Sequence, residues 1–345
     1  LSPLETIVVD DGSTDGSGDI SRQAGATVIA TPNGPRGPAV ARNLGAARAR
    51  GDILVFIDAD VAVHPDTLAA FSREFDGHPD VAAVFGSYDD IPAHPSLVSQ
   101  YRNLLHHFVH QQGHREASTF WAGCGAVRRE AFEAVGGFDE RYGRPSIEDI
   151  DLGVRLRAAG HRVWLKPDIQ ATHLKRWTLG GVIRSDIRDR AIPWTRLMLR
   201  QGRIPDDLNT SWKGRASAVA AWITVVAGVS AVIESRALGV ALPSLAALAV
   251  LNAALYRFFW RKHGLSFAVA GAALHALYLL YSSATFAALA TTDRLARWLR
   301  GAGGAGRAGG AGRAGRAGEA GRAGGAGRAG DVRASGEDVR PPGGV

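Results

Sequence analysis

Cysteine is nearly absent. Cys124 is the one cysteine in 345 residues, which excludes an intramolecular disulfide framework and fits a reducing compartment. A secretory signal pattern is not legible in the first residues either. No Gly-rich phosphate loop with its lysine stands near the N-terminus, which weighs against a nucleotidyl- or phosphosugar-transferase built on such a loop. The net charge is +7, but the basic residues are scattered. A nucleic-acid footprint would gather them on one face among aromatics, so no nucleic-acid partner is expected. Mean hydropathy near zero averages three unlike parts: a polar globular half, an apolar stretch and a Gly/Arg-rich tail. The first strand signal follows Leu1 almost at once. A doubly wound domain carries another strand and helix before such a strand, which predicts a truncated N-terminus.

What the chain does have is the stretch Ile53-Leu54-Val55-Phe56-Ile57-Asp58-Ala59-Asp60. Its apolar run predicts a buried strand, parallel to its neighbours and covered on both faces. The strand ends in two carboxylates one residue apart. Ligands of open α/β sheets bind at the carboxyl ends of strands. Asp-x-Asp at such an edge suits a hard divalent cation that in turn holds a diphosphate. Taken alone, the same residues read as a strand and an Asx turn.

Around this stretch, strands and helices alternate. Strands are predicted at 5–9, 26–30, 81–85 and 162–165, and helices at 19–24, 39–50, 65–75, 96–112, 130–135 and 146–159. The alternation argues for a mostly parallel sheet with flanking helices. Residues 10–16 are turn chemistry, and 32–38, rich in Gly and Pro, is a loop. Ser146 is the expected N-cap of the last helix, whose early acids Glu148, Asp149 and Asp151 suit its dipole. Capping explains an acid at one position but not Glu-Asp-x-Asp. His106, His107 and His110 share one helix with no carboxylate or cysteine at ligand spacing, and read as surface or acceptor-groove histidines. The glycines at 123, 125, 136 and 137 call for a closely packed backbone or positive φ. His173 is expected in a loop.

Residues 178–199 alternate apolar and basic positions at helical spacing, flanked by Trp177 and Trp194 and broken at Pro193. They predict amphipathic helices at a membrane interface across 177–215, with helices packed on the domain surface as the alternative. Apolar segments at 217–233, 237–256 and 266–289 predict a transmembrane region of about three spans within 216–292. A polar turn, Glu234-Ser235-Arg236, joins the first two, and Arg257, Arg261, Lys262 and His263 lie between the last two. With the sheet domain cytoplasmic, that basic loop lies inside, as the charge rule prefers. A third full span puts Arg294, Arg297 and Arg300 outside, against the rule, so the topology stays open. A multi-pass membrane location follows. Between 303 and 330 glycine recurs at every third residue without proline, which predicts a disordered tail over 301–345 rather than a collagen helix.

Four features occur in one order: Asp10-Asp11-Gly12-Ser13, Ala41-Arg42-Asn43-Leu44-Gly45, Asp58-Ala59-Asp60, and Glu148-Asp149 preceded by Gly136-Gly137-Phe138-Asp139-Glu140. Over roughly residues 4–180 this set resembles glycosyltransferase family 2, nucleotide-diphospho-sugar transferases of the GT-A fold. The resemblance implies an α/β GT-A domain over 1–176. It implies inverting transfer of a sugar from a nucleotide-sugar donor to a lipid-linked or polysaccharide hydroxyl at the cytoplasmic membrane face, with Mn2+ or Mg2+ as cofactor. It also implies roles by residue. Asp10 or Asp11, with Asp11 preferred, would meet the base. Arg42 and Asn43 would meet ribose or phosphate. Asp58 would reach the ribose or the metal shell. Asp60 would ligate the metal, and His173 would complete the site, imidazole suiting Mn2+ better than Mg2+. Asp149 would take the proton of the acceptor hydroxyl, supported by Glu148. Gly123, Cys124 and Tyr142 would line the acceptor groove. Arg176 and Trp177 belong to a segment similar to the Gln-x-x-Arg-Trp motif of processive members, without its leading Gln. The family's first strand and its Pro-x-x-Asn-type loop are absent. From a different class comes a catalytically inactive membrane scaffold that keeps the fold as a binding module. Metal-dependent hydrolysis of a supplied nucleotide-sugar separates the two.

Overall fold

Residues 2–202, 206 and 208–311 are described in the computed structural model of the chain. Leu1–Thr292 is one compact unit and Asp293–Val345 a second. The first apolar runs form β1 (Ile7–Asp10) and β2 (Thr27–Ala30), joined by α1 (Ser17–Gln23) and paired in parallel. After the Gly/Pro loop, α2 (Pro38–Arg48) begins with Pro38 in its first turn, where the missing N–H costs nothing. Then come β3 (Ile53–Ile57), β4 (Val61–Val63), α3 (Thr67–Gly77), β5 (Val81–Tyr88), α4 (Leu97–Gln111), β6 (Cys124–Arg128), α5 (Arg129–Ala134), α6 (Glu148–Ala158) and β7 (Arg162–His173).

Five of these strands form one sheet in the order β3-β6-β5-β7-β4. Only β5 and β7 run parallel; the other three pairings are antiparallel. The expectation of a mostly parallel sheet is therefore corrected to a mixed sheet. Sequence periodicity passed over β4 and β6. The first is three residues long, and the second is interrupted by glycine. Each lies antiparallel beside its neighbour, where the long crossover of a parallel pair is not needed. Gly125 lies within β6 at ordinary φ, and a Cβ there would strike Phe120 and the Trp121 carbonyl. The close-packing half of the glycine expectation holds there, and positive φ holds at Gly136 and Gly137.

β3 is also corrected. It is an edge strand, so it alternates instead of being covered on both faces. Leu54 and Phe56 are buried, whereas Val55 and Ile57 are 36% and 38% exposed. The doubly covered strand is β5, buried along its whole length between β6 and β7. Its alternating side chains serve two cores: Phe85 packs with Phe120, Leu152, Leu156 and Leu165, and Val84 with Phe71, Phe75 and Trp164.

β7 outruns its predicted end by eight residues. Its first part pairs with β5, and its last three residues pair with β4, so His173 sits opposite Val61 at a strand end and not in a loop. Beyond it, α7 (Leu179–Ser185), a π-helical turn (Asp186–Ala191) and α8 (Ile192–Gln201) follow. Pro193 does not break this segment. It starts α8, just after the π turn, where a lost N–H is tolerated. Val182, Asp186, Thr195 and Met198 are buried, so these helices pack on the domain.

α9 (Trp212–Ser230) and α10 (Leu238–Leu251) are joined through the expected polar turn, and α11 (Ala253–Ala311) is interrupted at Gly264, φ 82°. Thr224 and Ser244 hydrogen-bond between α9 and α10 at 2.9 Å, and Trp222 donates to Ser283 of α11 at 3.0 Å. Among the described residues one helical stretch, Ala253–Trp298, is long and apolar enough to cross a bilayer. The expected three spans are reduced to that one. The first turn of α9 carries Lys213 and Arg215, and α10 has only 14 residues, against about 20 for a span. Residues 301–311 continue α11, so the tail expected from 301 starts in a helix; its remainder, 312–345, lies outside the described residues.

Candidate active site

The carboxyl ends of β1 and β3, the N-terminus of α6 and the end of β7 carry the predicted residues. Asp10 closes β1 and accepts the Ser13 N–H at 2.7 Å, which holds its carboxyl below the ordinary value. Asp11 accepts the N–H groups of Arg36 and Gly37 at 2.8 and 2.7 Å, one on each oxygen. It thereby latches the Gly/Pro loop. Gly37, at φ 91°, lets the Gly143 backbone approach where a Cβ would collide, which ties that loop to the segment before α6.

Arg42 and Asn43 are both engaged within the protein. Arg42 donates to Asp58 at 2.6 Å and to Glu148 at 2.7 Å, with Phe138 beneath its guanidinium. Burial opposes its charge, yet the carboxylates of Asp58 and Glu148 outweigh burial and raise its pKa. Asn43 exchanges two hydrogen bonds with the Phe138 backbone, both 2.9 Å, and donates to Glu140 at 3.1 Å. Its amide clamps the Gly-Gly-Phe-Asp-Glu loop. Both residues take part in the frame of the site.

Glu148 is 4% exposed. Its second oxygen accepts the Ser146 N–H at 2.9 Å. The N-cap position of α6 is Ile147, without a side-chain cap. Ser146 is thus corrected as cap: its hydroxyl instead donates to the Asp189 carbonyl of the π turn at 2.9 Å. Asp149 accepts the N–H of Ala122 at 3.2 Å and of Ile150 at 2.8 Å. Burial first, then the adjacent Glu148 charge, pushes its carboxyl up to about 6 despite Arg42. Asp151 points elsewhere and holds Arg155 one turn on at 2.7 Å.

Asp60 and His173 come together, at 3.7 Å, longer than a hydrogen bond; the Lys175 ammonium lies 3.4 Å from the same Asp60 oxygen. His173, then Lys175, hold the Asp60 carboxyl down at about 2 against burial. Tyr88 stacks on His173, ring centroids 4.2 Å apart and planes nearly parallel, and touches His106 and Trp121. Sequence reasoning missed Tyr88 and Trp121. No local pattern marked either of them. His107 and His110 are buried and meet the carbonyls of Tyr88 and Gly86, so they fasten α4 to β5, correcting the surface reading. Burial, then His110, pushes the His106 pKa down.

Cys124 is corrected from a groove residue to a core residue. It is fully buried opposite Ile57, and burial pushes its thiol up to about 12. Gly123 accepts the Asp58 N–H at 3.2 Å, and a Cβ there would meet the Trp121 ring. Tyr142 is partly buried, its hydroxyl raised to about 12 by burial and then by Asp151 and Asp139. Arg176 is exposed. The Trp177 backbone N–H bonds the Ser99 hydroxyl at 2.8 Å, and Lys175 lies over its ring.

No three His, Cys, Asp or Glu converge for a metal among the described residues. Asp60 and His173 form a two-donor site, with Asp58 held by Arg42. Two protein donors fit a divalent ion whose other positions are filled by diphosphate and water.

Residues 1–136 match the family Glycosyl transferase family 2, and residues 102–176 match the N-terminal domain of galactosyltransferase. A pre-mycofactocin glycosyltransferase of Mycobacterium tuberculosis (strain CDC 1551 / Oshkosh) is 32% identical over 190 residues, 52% of this chain and 39% of that protein. The chain therefore spans well under half of that relative. The succinoglycan biosynthesis protein ExoA of Rhizobium meliloti (strain 1021) is 28% identical over 255 residues, 66% of this chain and 73% of that protein. Among solved structures, a mannosyltransferase from Pyrobaculum calidifontis in complex with GDP-Man and Mn2+ aligns with a TM-score of 0.48 at 23% identity, covering 79% of this chain and 77% of that one.

Proposed function

Because residues 1–136 belong to glycosyl transferase family 2, we propose that the chain transfers a sugar from a nucleotide-diphosphate sugar to an acceptor hydroxyl with inversion at the anomeric carbon. Asp149 is the base. The observation that carries this is its environment: a carboxyl at a helix start, raised to about 6, beside a Glu148 whose own oxygen is held by Arg42. At pH near 7 such a group is ionised and still basic enough to take a proton. The Ala122 and Ile150 N–H groups aim it. Asp60 and His173 would hold Mn2+ or Mg2+, which would neutralise charge on the diphosphate leaving group. Lys175, which now pairs with Asp60, is placed to turn to the same phosphates. Asp10 and Asp11 shape the pocket for the base of the donor, Asp11 through the loop it latches.

The apolar faces of α9 to α11 support a membrane location, and the basic residues Arg257, Arg261 and Lys262 before Gly264 suit a cytoplasmic side for the catalytic domain. Val226, Val229, Val240, Leu242, Leu245 and Val269 are each at least half exposed, and large apolar side chains left outside in this number suit a bilayer. The acceptor is accordingly a lipid-linked or glycan hydroxyl, met on the side of Trp121, Trp177 and Tyr142. Asp149→Asn is expected to lower transfer about 10²–10⁴-fold, while nucleoside diphosphate binding with Mn2+, measured by calorimetric titration, is unchanged. Wild-type transfer by that variant would remove Asp149 from the mechanism. A chain that binds donor but turns nothing over would instead be the inactive scaffold.

A further inference from the structure

A cleft of about 340 Å³ lies away from the carboxylates, between α4 and the first turns of α11. His107 and Phe108 line it from α4, and Arg257, Phe258 and Arg261 from α11. The α11 segment before Gly264 is amphipathic. Leu255 and Phe259 are buried against Tyr101, Leu104 and Leu105 of α4. On the other side Arg257 and Arg261 stand one turn apart, exposed, and neither makes an ion pair or hydrogen bond among the described residues. Neighbouring charges are all committed: Lys262 pairs with Asp90. The floor is aromatic, with Phe258 stacked on His107 and close to Phe108, centroids 5.7 Å apart in each case. Trp260, 58% exposed, projects from the same segment. The segment lies in the chain between two apolar stretches, α10 before it and the part of α11 after Gly264.

Two unpaired arginines over an aromatic floor are complementary to a phosphate attached to an apolar body. An exposed tryptophan beside them is the side chain that settles at a bilayer interface. We propose that this cleft binds the phosphodiester head group of an anionic bilayer lipid, with Arg257 and Arg261 on the phosphate and Phe108 and Phe258 against the start of the lipid's apolar part. The inference rests on the membrane reading of α9 to α11. It adds a second anionic site, separate from the diphosphate site at Asp60.

The test uses the full chain in neutral detergent, titrated with short-chain phosphatidylglycerol, short-chain phosphatidylcholine and inorganic phosphate, with tryptophan fluorescence as the readout. Saturable binding of phosphatidylglycerol, well above that of phosphatidylcholine and of phosphate, is expected. R257Q and R261Q should each weaken it about fivefold, and the double variant roughly thirtyfold. Nucleoside diphosphate binding at the other site should not change, which shows that the variants fold. Equal binding of the two lipids, or an unaltered double variant, overturns the proposal. Phosphate binding as tight as the lipid's overturns it in favour of a soluble anion. Membrane recovery of the untreated chain keeps the two readings apart. A membrane-bound chain without lipid preference sinks only this site, and a chain soluble without detergent sinks both.

Discussion

Glu148 and Asp149 are adjacent in the chain and differ in every physical respect. Successive helix residues point about 100° apart, so one carboxylate turns to Arg42 and the other to the Ala122 N–H. The charge of the first then raises the pKa of the second. With Asp149 as base, kcat/KM should rise with pH and level off above about 6. Glu148→Gln removes a charge that disfavours ionised Asp149 and also frees Arg42 to favour it, so the acid limb should move to lower pH. A pH–rate profile measures this, and an unmoved limb would assign the titration to another group. Stability runs the other way. A carboxyl whose folded pKa lies above its unfolded one costs stability as pH rises through that interval. Asp149→Asn should therefore raise the melting temperature above about pH 7 and leave it unchanged below about pH 4. Asp60 makes a separate case, its carboxyl held down by His173 and Lys175. Asp60→Ala should abolish the Mn2+ dependence of donor binding and lower the melting temperature modestly at neutral pH, because a carboxyl whose folded pKa is depressed contributes stability while ionised, an effect its partial exposure reduces. Calorimetric titration with and without Mn2+ decides.

At the scale of elements, α6 is placed by what it lacks. A Cβ at Gly153 would collide with the backbone of Thr119 and Phe120, so the helix approaches that segment more closely than any other residue permits. Gly153→Ala should cost about 1–3 kcal/mol by overpacking and lower kcat as Asp149 shifts, without moving the acid limb; urea denaturation and the pH profile test the two halves. The π turn reaches the same helix from the other side. Ser146 donates to Asp189, while Asp186 receives Arg102 of α4 at 2.6 Å and the Tyr281 hydroxyl of α11 at 2.6 Å. Asp186 is 3% exposed. Asp186→Asn leaves the Arg102 guanidinium buried without its counter-charge, and a loss of about 3–5 kcal/mol is expected. Tyr281→Phe removes one neutral donor and should cost about 1.5–3 kcal/mol at most, as a hydrogen bond to a charged group does.

For the whole molecule, the decisive quantity is the apolar surface left outside after α9, α10 and α11 have packed on one another. Ala220, Ala221, Leu248 and Leu279 are buried in their shared core, yet large valines and leucines still face outward. A chain truncated at about residue 300 should therefore remain with the membrane fraction, because a long apolar helix suffices for insertion. Recovery of that truncated chain as a monodisperse species without detergent would place these helices in a soluble core.

Sequence alone determined most of the local structure. The Asp-x-Asp pair, the Glu-Asp pair and their order carry the family resemblance, and apolar runs bounded by Gly, Pro and Asp locate β1, β2, β3 and β5 within a few residues, because those signals are local. The Asp151–Arg155 pair was equally legible, being one helical turn apart. Tertiary structure decided what depends on neighbours far along the chain. It made the sheet mixed, since a three-residue strand such as β4 exists only when β7 pairs with it. It carried His173 into a strand beside Asp60, and it buried Cys124. Above all it brought Arg42 to Asp58 and Glu148, 16 and 106 residues away. A residue's type states which partner it can take. Only packing in three dimensions brings that partner within hydrogen-bonding distance and excludes the others.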